Sequence, residues 1–269
     1  MNHTGSNGIR NAVRERYGKA AQVAGSTVTG CCAPSCCSPG DETIIQEAAQ
    51  SLGYTPEQIS EVPGGSNLGL GCGNPQTIAS LQGGEVVLDL GSGAGFDAFL
   101  AARQVGHAGF VVGVDMTPEM IAKARDNAET GGFRNVEFRL GEIECLPVGD
   151  SSVDVIISNC VINLSPEKQK VFKEAFRVLK PGGRLAVSDI VATAELPEAV
   201  RVDLALYAGC MAGASQIVDL ERMLSESGFV KIRIRPKDES KSFIKNWAPG
   251  RHIEDFIVSA TIEAHKPAL

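Results

Sequence analysis

The sequence predicts an α/β protein with a doubly wound, Rossmann-like, mostly parallel sheet. Two observations support this fold class: short β-branched-rich segments alternate with helical segments, and a glycine-rich turn directly follows the first strand. Alternation of this kind places helices on both faces of a parallel sheet. The predicted strands cover residues 85–90, 110–115, 136–140, 153–159 and 184–190, and the predicted helices between them cover residues 96–104, 118–129 and 166–179.

Two regions flank this core. Residues 1–84 are expected to form a largely irregular, cysteine-bearing N-terminal segment, with helices at 13–21 and 42–52. Residues 193–269 are expected to form a C-terminal α+β elaboration at the sheet edge, with helices at 198–207 and 218–227 and strands at 231–235 and 256–262. The core, residues 85–192, is expected to bind a cofactor, and the C-terminal region to contribute to the substrate site.

Composition excludes several classes of partner. The chain has 269 residues and a net charge of −7, which argues against nucleic acid or an anionic membrane surface as a partner. No apolar run approaches the roughly 18 residues that span a bilayer, and the N-terminus lacks the features of a signal peptide, so a cytoplasmic location is expected. Eight cysteines in a reducing compartment are expected to be ligands or redox groups, not a disulfide scaffold.

The glycine-rich turn carries the first functional signal. Gly91, Gly93 and Gly95 lie between the first strand and the first helix of the core, where a ligand can approach the backbone. Asp89 precedes them, and Asp115 ends the next strand, where a carboxylate can accept hydrogen bonds from ribose hydroxyls. This combination favours a nucleotide site over a purely structural turn.

The tight glycine spacing resembles motif I of class I S-adenosylmethionine methyltransferases. The resemblance implies that the loop packs against the methionine part of S-adenosylmethionine, that Asp115 holds the ribose, and that residues 141–144 border the adenine. Residues 180–183, which read KPGG, are also typical of these enzymes as a turn before the fifth strand. The implied cofactor-binding residues are Tyr17, Asp89, Gly91, Ser92, Gly93, Gly95, Asp115, Met116, Glu142, Ile143 and Asn159. For Tyr17, closing over the cofactor and packing the N-terminal helix remain equal alternatives.

Three cysteines lie in unusual contexts. Cys160 follows the fourth strand at the carboxyl edge of the sheet and should face the methyl donor, although a single cysteine there could simply pack as a small hydrophobe. Cys72 lies in a glycine-rich run that is expected to be too flexible for a core, and the context of Cys210 is likewise not expected to bury a thiol. No Asn/Asp-Pro-Pro-aromatic turn follows the fourth strand, which argues against a nucleic-acid amino methyltransferase.

Over residues 13–228 the chain resembles the arsenite S-adenosylmethionine methyltransferase family. The matching pieces are Tyr17-Gly18, the cysteines that follow them, residues 71–73 (GCG), residues 158–164 (SNCVINL) and Cys210 with its Ala/Gly run. The resemblance implies a detoxifying methyl transfer to trivalent arsenic that is held by Cys72, Cys160 and Cys210. Arsenite and methylarsenite, taken as thiol conjugates, are the implied substrates, and soft arsenic(III) prefers thiolate sulfur.

The resemblance also implies a fourth catalytic cysteine near the N-terminus. The distance from Gly18 favours Cys32 over Cys31, Cys36 and Cys37. A disulfide formed during the reaction would return two electrons to arsenic, and thioredoxin or another thiol reductant would reopen it. The chain departs from eukaryotic members at Gly209, where they carry a carboxylate, and in having no cysteine after Cys210.

Alternatives remain at this stage. The N-terminal cysteine pairs could form a zinc site, although adjacent cysteines do not have the usual spacing of such sites. A carbon methyltransferase acting on a quinone or sterol precursor would share the cofactor motifs but would not need Cys72, Cys160 and Cys210. A non-catalytic metalloid-binding protein would need the cysteines without the transfer. Cys145 is expected to be a loop or core residue.

Overall fold

A computed structural model describes residues 5–23 and 42–268 of the chain. The helices are α1 (Ser6–Val23), α2 (Glu42–Ser51), α3 (Pro56–Ser60), α4 (Gln76–Ala79), α5 (Phe96–Val105), α6 (Pro118–Thr130), α7 (Lys168–Val178), α8 (Glu198–Arg201), α9 (Leu204–Ala208), α10 (Ile217–Glu226) and α11 (Lys241–Ile244), with short 3-10 helices at Ile162–Leu164, Asp238–Ser240 and Ile253–Asp255. The strands are β1 (Val86–Leu90), β2 (Phe110–Asp115), β3 (Val136–Leu140), β4 (Val153–Asn159), β5 (Leu179–Ala192), β6 (Ser215–Gln216), β7 (Val230–Lys237) and β8 (Ile257–His265).

The strands form one sheet in the order β3-β2-β1-β4-β5-β8-β7, and β6 pairs with β5. Strands β1 to β5 are parallel, whereas β8 runs antiparallel to both β5 and β7. The chain reverses its direction of strand addition between β1 and β4, and ligands of such sheets bind outside the carboxyl ends of the strands at that point. The predicted doubly wound α/β fold is therefore confirmed.

Buried side chains cover both faces of the sheet. One cluster includes Leu88, Ile156 and Phe172 and lies under α7 and α10. The other includes Val87 and Phe99 and lies under α5 and α6. The central strands are apolar on both faces because helices cover both, as expected for a parallel sheet.

Several predicted boundaries differ from the structure. Residues 1–84 are not largely irregular where they are described, because four helices lie in that region and Tyr54, Val62 and Ala79 pack in the same cluster as Val87. The predicted helix at 198–207 is two helices, since Asp203 caps a new helix by accepting hydrogen bonds from the Ala205 and Leu206 amides. Residues 180–183 lie inside β5, next to the register shift between β4 and β5. The domain boundaries remain predictions.

Among the helices of residues 5–23 and 42–268, none combines the length and the apolar character that a membrane span requires.

Candidate active site

A cavity of about 700 Å³ opens at the carboxyl ends of β1, β2 and β4. This volume suits a cofactor together with a small substrate. The glycine loop borders one side of the cavity, Cys160 and Cys210 border another, and α1 contributes Tyr17. Of the predicted cofactor-binding residues, those that line it are Tyr17, Asp89, Gly91, Ser92, Gly93, Asp115, Met116, Ile143 and Asn159.

The glycine loop is shaped by close packing. Gly91 has φ of 66°, and a Cβ there would overlap the side chain of Val161. Gly95 has φ of 98° and begins α5, where a Cβ would lie 2.6 Å from the Phe99 ring. Gly95 therefore shapes the turn and is not among the residues that line the cavity.

Two buried polar atoms of the loop region have no hydrogen-bond partner among the described residues. They are Asp89 Oδ2 and Ser92 Oγ, and both residues line the cavity. Buried polar atoms in native structures normally have partners. A polar ligand at the glycine loop would supply them, so the residues present fit S-adenosylmethionine.

Asp115 is held in place at the end of β2. It accepts hydrogen bonds from the Gly93 amide at 3.0 Å and the Thr117 amide at 2.8 Å. Burial raises the pKa of Asp115, and these amides act in the opposite direction. Met116, which follows Asp115 in the chain, and Ile143 supply apolar surface to the cavity.

Helix α1 lies across the cavity and is fixed there by ion pairs. Arg10 pairs with Glu142 at 3.3 Å, Glu144 at 3.0 Å and Glu167 at 2.7 Å, and Arg14 also pairs with Glu142. Glu142 is directed to these arginines and is not among the residues that line the cavity, so its predicted contact with an adenine stays a prediction.

Cys160 occupies a strained turn directly after β4. Its φ is 61°, in the left-handed region that residues with a Cβ rarely adopt. Its amide donates to the Ser188 carbonyl at 2.8 Å. Asp189 accepts from the amides of Ile162 at 3.0 Å and Asn163 at 3.4 Å, which holds the residues that follow. The turn directs Cys160 toward the cavity.

Cys210 occupies a second left-handed position, with φ of 65° after α9. Its thiol donates to the Cys160 carbonyl at 2.7 Å, and the Tyr17 hydroxyl lies 3.9 Å from its sulfur. Tyr17 therefore contacts the predicted substrate site as well as lining the cavity. Two cysteines distant in sequence are thus held against each other beside the glycine loop.

Cys72 lies behind Cys160. Its amide donates to Asn159 Oδ1 at 3.1 Å, its carbonyl accepts from Ser259 at 2.8 Å, and its sulfur lies 3.7 Å from the Ser188 carbonyl. The Cys72 and Cys160 sulfurs and a carboxylate oxygen of Asp189 all lie within 4.8 Å of one another. Cys72 is not itself among the residues that line the cavity.

The expectation that Cys72 and Cys210 lie in contexts that do not bury a thiol is wrong. Cys72 is 1% exposed, Cys210 4% and Cys160 7%, and all three belong to one apolar cluster. The glycines beside Cys72 do not make it flexible; they allow close packing, since a Cβ on Gly71 would lie 2.9 Å from the Asn159 amide and one on Gly73 would lie 2.8 Å from Ser188 Oγ.

The three thiols are protonated at neutral pH. Burial raises the pKa of Cys72 to about 11 and that of Cys160 well above its ordinary value. The hydrogen bond to Cys160, followed by burial, raises the pKa of Cys210. Desolvation disfavours the thiolate in each case, so the free site carries neutral sulfur.

Asp189 was not identified from the sequence. Burial raises its pKa to about 6, while the Ile190 amide and Lys168 oppose the shift. Its second oxygen accepts from the Asn163 side chain at 2.9 Å and from the Ile190 amide at 2.8 Å. Because both oxygens already accept two hydrogen bonds each, Asp189 supports the Cys160 turn and does not offer a free ligand atom.

A second buried network was also missed. Tyr54 donates to Asp97 at 2.8 Å, and the Asn159 amide lies 3.0 Å from the Tyr54 hydroxyl, 2.8 Å from the Gly73 carbonyl and 3.1 Å from Asp97. Asn159 borders the cavity and its side-chain amide holds the Cys72 segment, and its predicted contact with the cofactor stays a prediction. The sequence placed Asn159 at the carboxyl edge of the sheet, but no sequence signal indicated its contacts with Tyr54 and Asp97.

Cys31, Cys32, Cys36 and Cys37 lie outside the described residues. The choice of Cys32, and the zinc alternative, therefore remain predictions. Cys145 is exposed, in the turn that begins at Glu142.

Comparisons with known proteins identify the family of the chain. Residues 81–228 match the family described as a methyltransferase domain. The arsenite methyltransferase of Halobacterium salinarum is 53% identical over 96% of this chain and 67% of its own length. That of Aquipseudomonas alcaligenes is 40% identical over 84% of this chain and 63% of its own. The crystal structure of an arsenic(III) S-adenosylmethionine methyltransferase from Chlamydomonas reinhardtii has a TM-score of 0.61 and 34% identity, over 86% of this chain and 75% of that one.

The fold, the glycine loop with its unpartnered polar atoms and the matched domain together define an S-adenosylmethionine-dependent methyltransferase of class I. The chain belongs to the arsenite methyltransferase family. It spans about two thirds of the length of the curated relatives it matches. The predicted cofactor and the family resemblance are both confirmed.

We expect Asp115→Asn to weaken S-adenosylmethionine binding about 10- to 100-fold, because it removes a charged acceptor worth roughly 1.5–3 kcal/mol. The exposed Asp126 of α6 provides a matched control as Asp126→Asn. Isothermal titration of both variants with S-adenosylmethionine measures the effect. Equal affinities of the two variants for S-adenosylmethionine would show that the Asp115 carboxylate does not contribute to cofactor binding.

We expect the three buried thiols to resist iodoacetamide at pH 7 while the exposed Cys145 reacts. With a pKa of about 11, Cys72 is thiolate in about one molecule in ten thousand at pH 7, and this fraction rises as the pH rises toward 11. Peptide mass spectrometry after timed alkylation at pH 7 and pH 9.5 measures each site. Modification of Cys160 as fast as Cys145 at pH 7 would contradict the geometry.

Proposed function

We propose that the protein transfers a methyl group from S-adenosylmethionine to trivalent arsenic bound by Cys72, Cys160 and Cys210. The observation that carries the proposal is the placement of the Cys160 and Cys210 thiols in the wall of the cofactor cavity, with Cys72 behind them. Packing alone does not require two cysteines in left-handed conformations at one edge of the sheet.

Substrate capture fits neutral thiols. Arsenite, As(OH)₃, exchanges three As–O bonds for three As–S bonds, and each thiol proton leaves with a hydroxide as water. The exchange changes neither the charge nor the oxidation state of arsenic. A neutral product suits a buried, apolar site, because burying an uncompensated charge is costly.

The bound arsenic keeps its lone pair. S-adenosylmethionine, when bound, supplies a methyl group on a sulfonium sulfur, which becomes a neutral thioether as it leaves. The protein acts by positioning, because the lone pair needs no general base, and such orientation is worth roughly 7 to 11 kcal/mol. Cys160 and Cys210 hold arsenic beside the glycine loop, and Tyr17 covers it.

Transfer leaves a positively charged, pentavalent methylarsenic on three sulfurs. The Cys32 thiol then attacks the Cys72 sulfur, a disulfide forms, and the electron pair of the broken As–S bond returns arsenic to the trivalent state. The Cys32 proton goes to solvent and balances the lost positive charge. Methylarsenite remains on Cys160 and Cys210, and thioredoxin or another dithiol reduces the disulfide for the next turnover.

We expect incubation with radiolabelled S-adenosylmethionine, arsenite and reduced thioredoxin to give methylated arsenic over many turnovers. Without the reductant we expect at most about one methyl transfer for each protein molecule, because the disulfide is not reopened. Chromatography of the arsenic species measures the product. A carbon methyltransferase or a metalloid-binding protein would give no methylated arsenic, and sustained turnover without reductant would remove the disulfide step.

The proposal assigns different cysteines to different substrates. Arsenite has three exchangeable positions and methylarsenite two, so we expect Cys160→Ser and Cys210→Ser to abolish the methylation of both. We expect Cys72→Ser, which removes the third sulfur, to abolish arsenite methylation, and Cys32→Ser to stop it after about one methyl transfer for each protein molecule, because Cys32 acts after the transfer. Both variants should retain single-turnover methylarsenite methylation. Replacing a thiol that binds arsenic directly should lower the rate by more than the roughly 10- to 100-fold that is typical when a residue supporting a ligand is changed. The reason is that serine is a hard, barely ionised donor.

Single-turnover rates on arsenite and methylarsenite measure these effects, and Cys145→Ser is the matched control, since Cys145 is exposed. If the thiols only packed the core, each variant would lose some stability and the substrate would make no difference. Equal residual activity in all four variants would contradict the proposal that these cysteines bind arsenic.

A further inference from the structure

A series of buried, interacting side chains connects the cofactor side of the cavity to the segment that carries Cys72. Asp89 and Asp97 are neighbouring buried carboxylates, 2% and 8% exposed, and both line the cavity. Asp97 is bound by Tyr54 and Asn159, and Asn159 Oδ1 accepts the Cys72 amide. Each link is a direct hydrogen bond or a close charge interaction.

Tyr54 links Asp97 to Asn159 within this series of contacts. The Tyr54 side chain is 4% exposed, and its ring packs edge-on against Phe96 at 4.8 Å between centroids. Its hydroxyl lies 2.8 and 3.0 Å from the two Asp97 oxygens and 3.0 Å from the Asn159 amide. The hydroxyl therefore fixes the orientation of both neighbours at once.

The Asn159 amide in turn fixes the Cys72 backbone. Its nitrogen donates to the Gly73 carbonyl at 2.8 Å, its oxygen accepts from Cys72, and the lack of a side chain at Gly71 leaves the space that it occupies. A small rotation of this amide would move both peptide groups beside Cys72. Cys72 borders Cys160, so its position decides whether three sulfurs can reach one arsenic atom.

We infer that Tyr54, Asp97 and Asn159 form a positioning network that couples occupancy of the cofactor site to capture of arsenic by Cys72. This inference rests on the proposed function. Burial, and then the neighbouring Asp97, raise the pKa of Asp89, and burial also raises the pKa of Asp97. A cationic group of the cofactor beside them would favour the charged form of this pair. A charged Asp97 accepts more strongly from Tyr54 and Asn159, which holds Cys72 in place for the third As–S bond.

Such coupling is a reciprocal free energy between two sites. S-adenosylhomocysteine should raise the affinity for arsenite, and arsenite should raise the affinity for S-adenosylhomocysteine by the same factor. S-adenosylhomocysteine keeps the amino group of the cofactor but has no methyl group to transfer, so binding is measured without reaction. The single tryptophan, Trp247, lines the cavity and reports binding by fluorescence.

The test compares Tyr54→Phe with wild type and with Tyr207→Phe. Tyr207→Phe is the matched control, because it also removes one hydroxyl hydrogen bond, to the Ser165 carbonyl at 3.0 Å, but it lies outside the network. Arsenite is titrated into each protein with and without saturating S-adenosylhomocysteine. Steady-state rates and thermal unfolding midpoints are recorded for the same proteins.

In wild type and Tyr207→Phe we expect S-adenosylhomocysteine to tighten arsenite binding by at least about five-fold. In Tyr54→Phe this factor should fall toward one, and the arsenite KM should rise by the lost factor while kcat changes little. Asp97→Asn, which keeps the shape but removes the charge, should lose the same factor and covers the case that Tyr54→Phe does not fold.

A full coupling factor in both variants, or a factor of one in a wild-type protein that methylates arsenite, would overturn the inference and leave the proposed function intact. A lower unfolding midpoint in Tyr54→Phe with unchanged coupling would show a merely structural role and would also overturn it. A wild-type protein that neither binds nor methylates arsenite would overturn both.

Discussion

The left-handed turn at Cys160 is the constraint on which the rest of the site depends. It ends β4, places the Cys160 sulfur at the cavity, and directs the carbonyl to which Cys210 donates. The next residue, Val161, occupies the space that Gly91 leaves open, so the glycine loop and the turn that carries Cys160 are packed against each other. Asp189 stabilises this strained turn by accepting hydrogen bonds from the Ile162 and Asn163 amides that follow it.

The sequence was sufficient for the fold and the cofactor loop because both depend on local patterns. Alternating strands and helices determine a parallel sheet, and glycines between β1 and α5 determine where a ligand approaches. Tyr54, Asp97 and Asp189 could not be identified in this way. Their roles arise from contacts with residues far away in the chain, such as the bond of Tyr54 to Asn159, and no local spacing marks them.

The error about Cys72 has the same origin. A run of glycines is consistent with flexibility and also with close packing, and only the neighbours distinguish the two. Here Asn159 and Ser188 fill the space beside Gly71 and Gly73, and the cysteine between them is among the most buried residues of the chain. The helix boundary at Asp203 differed for a local reason, because Asp203 accepts hydrogen bonds from the Ala205 and Leu206 amides and so begins a new helix within one helical pattern.

Under the proposed function, the raised pKa values of the thiols also affect which ions this site would bind. A divalent cation such as zinc would have to displace protons into solvent from sulfurs whose pKa is raised, and would leave a net charge among apolar side chains. Arsenite, As(OH)₃, would instead take up those protons as water, and the arsenic–sulfur product would carry no net charge. In the proposed arsenic site, burial of the thiols therefore favours a substrate that brings its own hydroxide over a bare divalent cation.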